Sequence, residues 1–362
     1  MSQTCTIDKD FILKTWHHKE FFRKIQHHSR ENVLLDHSKM ECLKDSYKSS
    51  IWRLQMNAGS KTYPIILKIS KQLKKARSES TVEKNIYRKA RKVLQPFMPQ
   101  VLFTKKNVNG RDLWVFMENI DPIKERVQYN PDHFGKIIPA LAKLHASTMG
   151  KRFKQQEQLF SGWLPRFNSK EALQENQRLN QLSLFFLEEA MKIRDLNPIV
   201  QPYYSLIKDM LKKGPGYFPE VAQSGCCIIH GDLHTANIVC PNVNEDIWDV
   251  KFIDWEGAKY APCWLDLVNL VGLFLAYRKE WKDQEDEITH RCVRLYEEEM
   301  RKNGVVFNTN PIILYEKAYL KKILEKGLYL QLNWAVTGKK EARLLHCYLE
   351  KAKVLGERYV LN

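Results

Sequence analysis

Two short apolar runs, each ending in a polar loop that carries an aspartate, limit most what this chain can fold into. Cys226-Cys227-Ile228-Ile229 leads into His230-Gly231-Asp232-Leu233-His234-Thr235-Ala236-Asn237, and apolar character returns at Ile238-Val239. Farther on, Val250 to Ile253 leads into Asp254-Trp255-Glu256. Apolar runs of this length, bounded by turn residues, read as buried strands. A short β hairpin of Cys226 to Ile229 with Val250 to Ile253 brings Asp232 and Asp254 into one loop region. The first loop then offers a carboxylate and, five residues on, the carboxamide of Asn237. Phosphoryl transfer needs a base to orient a hydroxyl and oxygen ligands for Mg²⁺. A carboxylate at Asp254 is placed to bridge Mg²⁺ to nucleotide phosphates.

The elements before this segment form a small, mostly β unit. The spacing of Phe11, Trp16, Phe21, Phe22 and Ile25 predicts a helix. Strand-like runs follow at Val33 to Leu35, Ser50 to Met56 and Tyr63 to Ile69, the last two joined by the turn Asn57-Ala58-Gly59-Ser60. A basic helix is expected over about Ser80 to Leu94, stopped by Pro96 and Pro99. Strands at Val101 to Lys105 and Leu113 to Met117 flank a turn at Asn107 to Arg111. Beyond Ile120 the pattern becomes helical: Phe134 to Thr148, Lys170 to Arg194, Pro198 to Leu211, and Trp264 to the end. The expected fold class is α+β and two-lobed, with a β-rich N lobe over residues 1–120 and a mainly helical C lobe over 121–362. A chain of 362 residues fits two lobes sharing a cleft.

HGDLHTANI followed by FIDWE resembles the aminoglycoside phosphotransferase and choline kinase superfamily, small-molecule kinases related in fold to protein kinases. The resemblance runs roughly from Val33 to Leu275. It implies ATP and Mg²⁺ as the bound groups, Asp232 as catalytic base, and Asn237 and Asp254 as metal ligands. It implies further that Lys68, ending the strand Pro64 to Lys68, neutralises the α- and β-phosphates. Glu83 on the basic helix would pair with that lysine, with Glu79 one turn earlier as the competing candidate. Trp114 to Ile120 resembles the family's hinge: Met117 would back the adenine pocket, and the Glu118 carbonyl and Ile120 amide would meet the base. Ser46 and Ser49 are the phosphate-contact candidates in the loop Lys44 to Ser50, which has no glycine where protein kinases carry GxGxxG. Leu144-His145-Ala146 matches a structural helix end. Asp266 is expected to accept hydrogen bonds from the catalytic-loop backbone. Glycine at Gly231, where most protein kinases have arginine, sets the chain apart from them. So do the few residues between Asp254 and Leu265, which leave no room for an activation loop.

The implied activity is transfer of the γ-phosphate of ATP to a hydroxyl of a small molecule such as an amino sugar or amino alcohol. The alternative is a catalytically inactive, kinase-like nucleotide-binding or scaffold protein. A net charge of +16 favours anionic partners and argues against a polycationic acceptor. No specific nucleic-acid module accompanies the charge. Acidic residues gather at Glu285, Asp286 and Glu287 and at Glu297 to Glu299, as a local acceptor pocket or a solvated helix face. His17, His18, His27 and His28 read as a solvated face sooner than as metal ligands. No signal peptide or transmembrane segment is visible, and no cysteine pair has CxxC spacing. A cytoplasmic enzyme with reduced cysteines is the expectation.

Overall fold

The computed structural model describes residues 9–16, 33–46, 48–58, 60–71, 77–106, 113–214 and 216–360. Within them the N-terminal helix is α1, Lys9–Trp16. The rest of that expected helix, the four histidines between 17 and 28, Gly59, and the turn at Asn107 to Arg111 lie outside the described residues.

The N lobe is an antiparallel sheet of β1 (Val33–Leu35), β2 (Glu41–Asp45), β3 (Ser49–Ala58), β4 (Lys61–Ser70), β5 (Val101–Lys106) and β6 (Leu113–Glu118), in the order β1-β3-β4-β6-β5 with β2 also on β3. Strand β2 has no counterpart in the sequence reading. All five of its residues are exposed, so no apolar alternation marks it. Its presence shrinks the expected phosphate-side loop to a tight turn between β2 and β3.

The alternation of β4 decides the position of the site. Ile65, Leu67 and Ile69 are buried with Trp52, Leu54, Trp114 and Phe116 in a core on one face of the sheet. Side chains on a strand alternate between faces, so Lys68 and Ser70 point to the other face. There α2 (Arg77–Arg88) lies, followed after a break by the short α3 (Arg91–Leu94). Val82, Ile86 and Tyr87 of α2 join Val115 and Met117 of β6 in the large core that continues into the C lobe.

That lobe contains α4 (Phe134–Ser147), α5 (Gly150–Phe160) and α6 (Lys170–Lys192). The helix expected over Pro198 to Leu211 is broken. Asn197–Val200 passes through a 3₁₀ turn at Gln201–Tyr203 before α7, Tyr204–Lys212. Pro202 has no N–H to continue an α-helical ladder. Then come β7 (Cys226–Ile229), β8 (Ile238–Val239), β9 (Lys251–Phe252) and β10 (Lys259–Pro262). The expected hairpin of Cys226 to Ile229 with Val250 to Ile253 is corrected here. β7 pairs β10, Ile229 opposite Lys259, and β9 pairs β8, Phe252 opposite Ile238. A two-residue β8 and a β10 reading Lys-Tyr-Ala-Pro carry too little apolar pattern to be seen in sequence.

Helix α8 begins as Trp264–Leu267, passes through a π turn at Val268–Gly272 and ends as Leu273–Tyr277. It is followed by α9 (Glu285–Lys302). Next is α10, which runs Pro311–Lys322, through a π turn at Ile323–Gly327, and on as Leu328–Thr337. The last helix is α11, Leu345–Tyr359. No helix among the described residues is long and apolar enough to cross a membrane.

Candidate active site

Lys68 is the centre of the N-lobe side. Its Nζ lies 2.7 Å from Glu83 Oε1 and 2.7 Å from Asp254 Oδ1, so one ammonium ties β4, α2 and the loop after β9 together. Glu83 is buried and is held from its own helix by Tyr87 Oη at 3.3 Å, the i,i+4 neighbour. Ser70 Oγ, two residues along β4 on the same face, donates to Glu83 Oε2 at 3.4 Å. The side chain of Glu79 lies outside the described residues. Burial depresses the Lys68 ammonium, but Glu83 and Asp254 outweigh it and hold the group above the ordinary lysine range. Burial likewise raises the Asp254 carboxyl, and Lys68 more than reverses that, leaving it below the ordinary range. Asp254 has left-handed backbone, φ 68°, a region that aspartate visits more readily than bulkier residues.

The catalytic-loop candidates sit across from this group. Asn237 donates from Nδ2 to the Asp232 carbonyl at 2.9 Å, closing the loop on itself. The Asp232 carboxylate is more than half exposed, 3.8 Å from His234 Nε2. His230, which the sequence reading left without a role, joins the two aspartate loops. Its Nε2 is 2.8 Å from the Ile253 carbonyl, and the Asp232 amide points to its Nδ1 at 3.4 Å. With the Nε2 hydrogen on that carbonyl, Nδ1 is left to accept from the amide. Gly231 has φ 81°, and a Cβ there would fall 2.0 Å from the Gly257 carbonyl oxygen. Only glycine fits that approach.

Behind the loop lies Asp266 of α8, fully buried. Its Oδ2 accepts from the His230 amide at 2.6 Å and its Oδ1 from the Gly231 amide at 2.8 Å. His145 of α4 approaches Oδ2 at 3.3 Å through Nε2, with Nδ1 2.8 Å from Tyr296 Oη. Burial pushes the Asp266 carboxyl up. The hydrogen bond and charge of His145, with His230 and the Gly231 amide, hold it below the ordinary range.

These parts face a cleft of about 620 Å³. Lys68, Met117, Glu118, Ile120, Asp232, Asn237 and Asp254 line it; Tyr87, His234 and Glu256 do so as well. Met117 is buried at the end of β6, and the exposed Glu118 anchors its own amide on the Gln100 carbonyl at 2.9 Å. Ser46 and Ser49 are not among the lining residues. They close the β2–β3 turn, Ser46 Oγ donating to the Ser49 carbonyl at 2.9 Å and accepting from its amide at 3.1 Å. The acidic residues of α9 do not line the cleft either. Glu285 pairs with Lys351 at 2.6 Å, Glu297 with Arg301 at 2.8 Å, and Glu299 with Lys302 at 2.6 Å. Asn269 and Lys322, described below, also escaped the sequence reading. Neither is in a motif, and Lys322 comes ninety residues after Asp232.

Among solved structures the chain is similar to an ethanolamine kinase from Plasmodium vivax, at 14% identity over 88% of this chain and 82% of that one, with a TM-score of 0.48. It is similar also to an aminoglycoside 2'-phosphotransferase solved with GDP, at 12% identity over 94% and 98%, TM-score 0.48. An aminoglycoside phosphotransferase from Streptomyces rimosus aligns at 13% identity over 83% and 97%, TM-score 0.42. Comparison with curated proteins finds no significant match. The sequence pattern of the ecdysteroid kinase-like family matches residues 44–304, well over half of the chain. That stretch contains every lining residue named above, and the chain belongs to the ecdysteroid kinase-like family.

Proposed function

We propose that the protein transfers the γ-phosphate of ATP to a hydroxyl of a small molecule, with Asp232 as base. One observation carries the reading: the Lys68 ammonium, 2.7 Å from both Glu83 and Asp254, shares a cleft with Asp232 and Asn237. A buried cation held between two carboxylates, with one of them open to the cleft, is suited to phosphate charge. Glu83 fixes Lys68, and Lys68 offsets the α- and β-phosphates. The Glu118 carbonyl and Ile120 amide take the adenine edge over Met117.

In the transfer, the acceptor O–H gives its proton to the Asp232 carboxylate as its oxygen bonds to the γ-phosphorus. The bond from that phosphorus to the β,γ-bridging oxygen breaks, and its electron pair leaves with ADP. Asn237 spends its Nδ2 on the Asp232 carbonyl, so its Oδ1 is the atom offered to a metal; Asp254 meets Lys68 through Oδ1 and offers Oδ2. Among the described residues there is no cluster of three or more His, Cys, Asp or Glu side chains that could hold a metal. An Asn–Asp pair fits Mg²⁺ nonetheless, because that ion keeps waters and phosphate oxygens in its shell. Bound there, Mg²⁺ supplies positive charge on the phosphates.

The test is ADP release from MgATP across amino sugars, amino alcohols and nucleosides. Asp232→Asn is expected to lower acceptor-dependent turnover by about two to four orders of magnitude, with MgATP affinity nearly unchanged. Wild-type turnover in that variant overturns the assignment of the base.

A further inference from the structure

Helices α8 and α10 each depart from regular α geometry, and one side-chain hydrogen bond links the two departures. The π turn of α8 covers Val268–Gly272 and that of α10 covers Ile323–Gly327. Such turns are rare and recur at functional sites. Lys322, at the start of the second, donates from Nζ to Asn269 Oδ1, inside the first. Asn269 Nδ2 donates in turn to the Gly231 carbonyl at 3.2 Å. One lysine is therefore two hydrogen bonds from the residue beside Asp232.

The surroundings of Lys322 are unusual for a lysine. It is half-buried, and among the described residues it forms no ion pair. The charged groups facing it are Asp232 from the loop, Asp266 from α8, Lys259 from β10 and Lys326 from α10 itself. Burial pushes its ammonium down to about 7, with Lys259 and Lys326 adding to the effect and the two aspartates opposing it. Asp232 lines the nucleotide cleft, and Lys322 and Asn269 do not. Lys322 thus meets the loop outside that cleft, through Asn269 and the Gly231 carbonyl. It also lies beyond residue 304, where the family's sequence pattern ends.

We propose that Lys322 is a positioning residue of the phosphotransfer: through Asn269 it fixes the Gly231 carbonyl, and its ammonium, facing Asp232, holds the loop in place. This rests on the reading of Asp232 as base.

The test uses the full chain labelled with [ε-¹³C]lysine and titrated by NMR. The resonance missing from Lys322→Arg identifies Lys322. Its midpoint is expected near 7 in the wild-type protein and lower in Asp232→Asn, because loss of a nearby anion destabilises the ammonium. An unmoved midpoint overturns the proposal. Acceptor-free MgATP hydrolysis gives a second readout. The wild-type rate is expected to fall as pH rises through about 7 and the ammonium is lost. Lys322→Met is low at every pH, by about ten- to a hundredfold, the scale of a misplaced catalytic group. Lys322→Arg holds its rate to higher pH, since its guanidinium stays charged. Superimposable profiles for wild type and Lys322→Met overturn the proposal as well. Wild-type hydrolysis in Asp232→Asn would instead sink the assignment of the base, while the NMR midpoint still reports whether the two residues are coupled.

Discussion

The front and the back of the Asp232 loop use carboxylates in opposite ways. At the front, Glu83 and Asp254 spend their charge on the Lys68 side chain, and Asp254 remains about one-third exposed to the cleft. At the back, Asp266 is fully buried and spends both oxygens on backbone amides, those of His230 and Gly231. A side-chain cation facing a cleft can be shared with an incoming anion. A backbone amide in the core has no other partner within reach, and leaving it unpaired costs the full desolvation penalty. The front is thus built for exchange and the back for shape, and substitutions in the two should fail differently.

The largest effect is expected at the back. Asp266→Ala strands the buried His230 amide and the part-buried Gly231 amide, and deprives His145 of its carboxylate partner. A loss of about 3–5 kcal/mol in unfolding free energy is expected, as for breaking a buried charged network. Urea unfolding measures it, and a loss below 1 kcal/mol (about one ordinary hydrogen bond) would erase the contrast between the two sides. Next comes Lys68→Met at the front. Glu83 keeps Tyr87 and Ser70 as partners, so the stability cost is smaller, about 1–3 kcal/mol. The main damage should fall on MgATP, whose affinity drops about tenfold or more for the loss of a charge-assisted contact. Calorimetric titration with MgATP separates the outcomes: unchanged affinity would mean that Lys68 serves the fold alone.

The front was readable in the sequence because its parts obey local rules. Lys68 lies on an alternating strand, which runs two residues past it, Glu83 and Tyr87 are one helical turn apart, and Asp232, Asn237 and Asp254 sit in short loops between apolar runs. The back was readable only in part. Asp266 was expected to hold the loop, yet its partner His145 comes from a helix 121 residues earlier, and nothing local joins them. Lys322 was invisible because a lysine in the middle of a long helix is ordinary, and its meaning depends on which helix packs against it. The pairing of β7 with β10 was missed for a similar reason. Strands of two to four residues are specified by what lies beside them, not by their own pattern. His230 was within the motif from the start, but only the contact with the Ile253 carbonyl reveals that it joins the two aspartate loops.

Acidification sharpens the comparison in a smaller way. The Asp266 carboxyl is held below its ordinary value in the folded state. Its stabilisation is therefore fully present above the unfolded value, about 3.9 for aspartate, and is lost as pH falls through the folded one. Asp266→Asn has no proton to take up at that position. The stability gap between wild type and Asp266→Asn should narrow as pH is lowered from 6 toward 3, as read from urea midpoints. Lys68 contributes with the opposite sign: its ammonium is held above the ordinary range, so its share is present at neutral pH and disappears only in strong alkali. A gap between wild type and Asp266→Asn that stays constant through the acid range would mean that His145 and the two amides do not depend on the carboxylate charge.

The smallest effect is expected at the β2–β3 turn, the one front element whose assignment by resemblance and whose geometry pull apart. Ser46 was matched to a phosphate contact, yet its hydroxyl donates to the Ser49 carbonyl and accepts from the Ser49 amide. Lys71 Nζ further pins the turn, 2.8 Å from the Ser46 carbonyl and 2.8 Å from Asp45 Oδ1. A hydroxyl engaged on both sides has little to offer a ligand unless the turn opens. Ser46→Ala should remove the side-chain bonds while the Ser46 amide keeps its own bond to the Ser49 carbonyl at 2.9 Å. The cost is about 0.5–1.5 kcal/mol in stability. The KM for MgATP should change by less than about threefold, well under 1 kcal/mol of binding. If KM instead rises about tenfold with stability unmoved, the hydroxyl leaves the turn to meet phosphate. Ser46 would then be a group that trades a protein partner for the nucleotide, the role proposed for Lys68.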